Sequence, residues 1–139
     1  MSGPAVLAID QGTSNTKALL VAGDGEVLLS RARPTGVSYP RPGWVEQSAA
    51  EIWDVVRKLI KDVVSAAPDI SVAAIAISNQ RETIVAWDAE TGEPVAPAIV
   101  WQCRRSESIC ARLQSEGHAD EIAGLSGLGL DPLFPAAKI

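Results

Sequence analysis

A mixed α/β fold is what this sequence predicts, and three observations predict it. Short apolar runs alternate with turn residues between Ala5 and Leu29, the pattern of consecutive strands. The stretch after Ser48 repeats its apolar residues at helical spacing. A further apolar run, Ser71 to Ser78, returns before more helical sequence. Strands interleaved with helices around one sheet make an α/β domain.

The first strand is Ala5 to Ile9, an apolar run of the kind expected when both faces are buried. It stops at Asp10, and Gln11 to Thr16 are small or polar. Gly12 is expected to allow a tight turn with positive φ. A turn of this kind aims successive N–H groups into one concavity, which suits an anion. Thr13 and Ser14 add hydroxyls, Asn15 an amide, and Lys17 a positive charge on the rim. Asp10 is placed to orient a hydrated Mg²⁺ beside the same anion. An ordinary hairpin accounts for these residue types as well. No G-x-x-x-x-G-K-[ST] loop occurs in the chain. The turn instead leads into a second strand, Ala18 to Val21, and Gly23-Asp24-Gly25 turns the chain into a third, Val27 to Leu29.

Prolines and glycines between Arg33 and Gly43 exclude a continuous helix there and predict an extended loop. Ser48-Ala-Ala-Glu51 is a capping box at a helix start. Ile52, Val56, Leu59 and Val63 then form the buried stripe, widened by Trp53, Val55, Ile60 and Val64, and the helix ends before Pro68. Ser71 to Ser78 is expected as another central strand, and Ile84 to Trp87 as a further one. Ala98 to Trp101 comes next, between Pro97 and a helix expected over Arg104 to Gly117, with Ile109 and Leu113 inward. Ala119 to Ala123 reads as a short helix, and Asp131-Pro132 and Pro135 interrupt the C-terminal stretch.

A chain of 139 residues has the size of one domain, and 47% hydrophobic with 21% charged residues is a globular composition. The net charge of −5 argues against a nucleic-acid partner, but local amides and one cation suffice for ATP. No apolar run approaches the ~20 residues of a membrane-spanning helix, and Met-Ser-Gly-Pro has no signal-peptide layout. The cytoplasm and no membrane partner are therefore expected. Cys103 and Cys110 would stand about 10.5 Å apart along a shared helix, too far for a disulfide. With His118 the single histidine and no C-x-x-C, both cysteines are expected to be buried or semi-buried thiols.

Arg81 and Glu82 directly follow an apolar strand, at the edge where α/β proteins place ligands. An adjacent guanidinium and carboxylate can donate to and accept from the hydroxyls of a polyol or sugar. A plain ion pair on a turn fits the same residues. Trp101 serves equally as core or as an apolar wall for a polyol, and Arg104-Arg105 as helix-surface charge.

Taken together, AIDQGTSNTKALL, YPRPGWVEQSAAEIW, AIAISNQRETIVAWD, TGEPVAPAIVWQCRR and LDPLFPAAK resemble, in this order, the N-terminal part of an FGGY-family carbohydrate kinase. Within the family they are most similar to the glycerol kinases. The resemblance covers essentially the whole chain, and PGWVE, NQRET and IVWQCRR are its specific blocks. It implies an actin-like, ribonuclease-H-like fold, with residues 1–139 as an N-terminal kinase domain and a second domain absent. It also implies transfer of the ATP γ-phosphoryl group to a polyol or sugar hydroxyl with Mg²⁺.

By position, the resemblance assigns Thr13, Ser14 and Asn15, with Gly12 and Lys17, to nucleotide phosphates and Asp10 to the Mg²⁺ side. Lys17 stands where glycerol kinases carry arginine, keeping the charge but not the forked donor geometry. Arg81 and Glu82 match the polyol-binding pair, and Trp101 an apolar wall. Leu133 departs from the pattern, since glycerol kinases have tyrosine in their DPYF. The lost hydrogen bond nets about 0.5–1.5 kcal/mol, so other polyols or ketopentoses compete with glycerol as substrate. The family's proton-accepting aspartate lies beyond Ile139, so no catalytic residue is expected here and these 139 residues alone should be inactive. An actin-like nucleotide-binding or non-catalytic domain is the alternative reading. Apolar surface left by a missing second domain would favour homo-oligomers.

Overall fold

A computed structural model describes residues 3–139. The chain divides into two compact units. The first takes residues up to Val37 and Ser48–Gln80, the second Ser38–Gln47 and Arg81–Ile139.

The first unit is a four-stranded sheet with one helix. Its strands are β1 (Ala5–Gln11), β2 (Asn15–Val21), β3 (Val27–Pro34) and, counting a short β4 in the other unit, β5 (Val72–Asn79), in the order β3-β2-β1-β5. β1 pairs antiparallel with β2 and parallel with β5. Helix α1 (Ala49–Ala66) buries Leu59 and Val63 against Ala5, Leu7, Ile9, Ala18 and Leu20 of the sheet. Fully burying one such leucine contributes about 1.5–3 kcal/mol, so this seam holds the unit together.

Several expectations need correction here. β1 alternates buried and exposed rather than being covered on both faces, because α1 lies on one side of the sheet. β5 is an edge strand in this sheet, not a central one, and Ile75 and Ile77 are 58% and 71% exposed. Trp53 points away from the core of α1, with 62% exposure. β3 continues to Pro34 instead of stopping at Leu29. It is an edge strand, where polar side chains and a proline without N–H are tolerated. The capping box forms in half: Ser48 accepts from the Glu51 N–H at 3.2 Å, while the Glu51 carboxylate accepts from the Gly36 N–H at 3.3 Å.

The second unit contains β4 (Glu46–Gln47) paired antiparallel with β6 (Ala98–Ile99), then α2 (Glu107–Ser115), α3 (Ala119–Ser126) and a 3₁₀ turn at Pro135–Ala137. Val45, Ala98, Val100, Cys103 and Cys110 are buried in it. Ile84 to Trp87 is not a regular strand. Ile84 bridges to Ile99 and Trp87 to Pro94, because Pro94 and Pro97 interrupt the partner segment. Helix α2 begins only after Ser106, and its Ile109 is 40% exposed rather than inward.

Candidate functional site

The turn after β1 lies in the first unit. The register sets Asp10 opposite Lys17 and Gln11 opposite Thr16. Strand alternation then buries Gln11 and Thr16 and leaves Asp10 and Lys17 exposed. The turn closes through the Gly12 N–H, which donates to the Asn15 carbonyl at 3.0 Å. Gly12 serves the turn differently from the expectation of a positive φ. Its φ is not in the left-handed region, and its N–H is already committed. Glycine is required by space, since a Cβ there would stand 2.9 Å from the Asn15 carbonyl oxygen.

Thr13 Oγ1 donates to Gln80 Oε1 at 3.0 Å, and the Gln80 N–H donates to the Gln11 carbonyl at 2.7 Å. Gln80, at the end of β5, therefore pins the turn. Reading the sequence missed this residue, although a polar side chain directly after an apolar strand and before Arg81 was the available signal. Ser14, Asn15 and Lys17 are exposed and carry a hydroxyl, an amide and an ammonium, donor types that suit oxyanions. Asp10 is a single carboxylate. It suits a Mg²⁺ that arrives on phosphate with its own waters rather than a protein cage. Among the described residues no three His, Cys, Asp or Glu side chains are grouped to hold a metal.

In the second unit, Arg81, Glu82, Trp101 and Leu133 line one cavity of about 470 Å³, together with Leu128 and Phe134. Four residues chosen from three separate blocks of sequence thus meet in one place. Glu82 has φ 61°, alone among the described non-glycine residues in taking a positive value. Such a conformation costs a non-glycine residue roughly 1–3 kcal/mol, and it clusters at ligand sites. Here the residue that adopts it is one of those lining the cavity. Next to it, the Thr83 hydroxyl accepts from the Trp101 N–H at 3.3 Å. Leu133 sits in a β-turn: the Asp131 carboxylate accepts from its N–H at 2.7 Å, and the Asp131 carbonyl from the Phe134 N–H at 3.1 Å. Pro132 presets the second position of that turn.

Main-chain hydrogen bonds join the PGWVE and IVWQCRR blocks, the second of which supplies Trp101 to the cavity. The Val100 N–H donates to the Val45 carbonyl at 3.1 Å and the Arg104 N–H to the Gly43 carbonyl at 2.7 Å. Arg105 is not helix-surface charge. It stacks 3.9 Å from the Trp44 ring centre and pairs with Glu46 at 2.5 Å, both carboxylate and guanidinium being mostly buried. Arg104 does behave as surface charge, paired with Glu107 at 2.8 Å. Burial opposes ionisation of Cys103, but Arg105 Nε–H at 3.0 Å and nearby backbone groups outweigh it and hold the thiol below its ordinary range.

A guanidinium and a carboxylate beside an apolar wall of Trp, Leu and Phe match a molecule with hydroxyls on one edge and carbon–hydrogen bonds on a face. The family model described as "FGGY family of carbohydrate kinases, N-terminal domain" matches residues 5–139. A glycerol kinase of Shewanella pealeana is 46% identical over 100% of the chain and 29% of its own length. An apulose kinase of Pectobacterium atrosepticum is 43% identical over 100% of the chain and 28% of its own. The crystal structure of Plasmodium falciparum glycerol kinase with ADP superposes with a TM-score of 0.91 at 28% identity, over 98% of the chain and 28% of that protein. The chain thus spans under a third of these relatives, and its fold is the actin-like α/β fold that they share.

Proposed function

The chain belongs to the FGGY family of carbohydrate kinases, and from that premise we propose that its cavity binds a small polyol or sugar and its β1–β2 turn binds the phosphates of ATP. The observation that carries this reading is the convergence of Arg81, Glu82, Trp101 and Leu133 on one cavity. Glu82 accepts from substrate hydroxyls, Arg81 donates to them, and Trp101 covers the carbon face. In the first unit, Thr13, Ser14, Asn15 and Lys17 orient the phosphates, and Gly12 gives the turn room to close. Asp10 is the residue that would hold the Mg²⁺ side. When bound, that ion neutralises charge on the transferring phosphoryl group. Phosphoryl transfer rests on positioning and charge stabilisation. The full-length protein, rather than these 139 residues, is then the active kinase, and the cytoplasm is where it works.

Leu133 places an apolar side chain where tyrosine would add a hydrogen bond, which favours a substrate with more carbon surface than glycerol. One relative is named an apulose kinase rather than a glycerol kinase, which supports keeping substrates other than glycerol in view. The test is ATP-dependent phosphorylation by the full-length protein across glycerol, longer polyols and ketopentoses. Turnover on at least one, best on a compound larger than glycerol, is expected. Inertness toward the whole panel would remove the proposal.

A further inference from the structure

We propose that Lys138 is a positioning residue for the polyol cavity, its buried ammonium tying together the two chain segments that carry the apolar wall. The inference rests on reading that cavity as the polyol site. Lys138 is 8% exposed, the one charged side chain classed with the buried residues among those described. Lysine is almost never buried without partners. Its partners are three main-chain oxygens: Nζ donates to the carbonyls of Trp101 at 3.0 Å, Leu133 at 3.1 Å and Val100 at 3.4 Å. An ammonium has three donors and no acceptor, so all three are used. Burial holds this amine below its ordinary range, countered in part by the charges of Cys103, Asp131 and Glu82 and reinforced by Arg105.

Trp101 and Leu133 are 32 positions apart in the chain, yet each is fixed at both ends of its main chain. Trp101 gives its N–H to Thr83 and its carbonyl to Lys138. Leu133 gives its N–H to Asp131 and its carbonyl to Lys138. Lys138 donates to both, and it is not among the residues that line the cavity. Its side chain therefore sets the separation of the surfaces that grip the carbon face of the substrate.

In the full-length protein, Lys138→Met removes all three donors and is expected to raise the polyol KM at least about tenfold, the size of one or two lost hydrogen bonds to a charge. The ATP KM should stay within about twofold, because the hydrogen bonds of Lys138 go to Val100, Trp101 and Leu133 of the second unit. Lys138→Arg, which returns donors, should recover part of the loss. Hydrogen exchange should quicken in residues 98–104 and 130–135 and be unchanged in β1 and β2. If Lys138→Met does not fold, Lys138→Gln, with two amide donors, should show the same split at a smaller fold-change. An unchanged polyol KM would overturn the inference while leaving the kinase reading intact. A parallel rise in both KM values with a drop in Tm would overturn it too. A wild-type protein inert on every polyol and sugar removes the reading beneath it as well.

Discussion

Glu82 holds a backbone conformation that glycine adopts freely and glutamate does not, with φ 61°. On the proposed function its carboxylate serves the polyol, while its backbone costs stability. Glu82→Gly is expected to stabilise the protein by about 1 kcal/mol and to abolish phosphorylation of the polyol. Thermal melting and a coupled kinase assay on the same preparation check both. A variant that is both less stable and fully active would contradict the assignment. Gly12 makes the converse case. A Cβ would meet the Asn15 carbonyl at 2.9 Å with backbone on both sides, so Gly12→Ala must reshape the turn. Its ATP KM should rise by about tenfold or more, about 1.4 kcal/mol or more of lost binding, with the polyol KM unaffected. Initial-rate kinetics with each substrate varied would show it.

The elements follow the same logic of what touches what. Leu59 is 1% exposed and packs with Leu7 and Leu20 across the helix–sheet seam, so Leu59→Ala should cost about 2–5 kcal/mol. Denaturant unfolding measures it, and a loss below about 1 kcal/mol would mean that α1 is not the main cover of the sheet. Periodicity made α1 legible, because a 3.6-residue repeat reports directly on one buried face, whereas the first two strands were read from apolar runs bounded by turn residues, which hid the exposed face of β1. Trp53 and Ile109 were misjudged for a related reason: an apolar stripe is wider than the surface that covers it. The segment from Ile84 to Trp87 has strand-like composition, yet prolines in its partner leave only isolated bridges.

At the scale of the molecule, the chain of 139 residues makes two compact units, and the two candidate sites fall one in each. The residues that the proposed function assigns to ligand were singled out by type: hydroxyls and a lysine on a turn, an adjacent Arg and Glu, a tryptophan. The residues that hold them were not. Gln80, Thr83, Arg105 and Lys138 act through partners that only folding brings near. The most direct measurement of the account varies ATP and polyol in turn for full-length Lys17→Ala and Glu82→Gln. Lys17→Ala should raise the ATP KM about tenfold and leave the polyol KM within about twofold, and Glu82→Gln should do the reverse. Both variants shifting the same constant, or neither shifting any, would contradict the division of phosphate and polyol binding between these two sites.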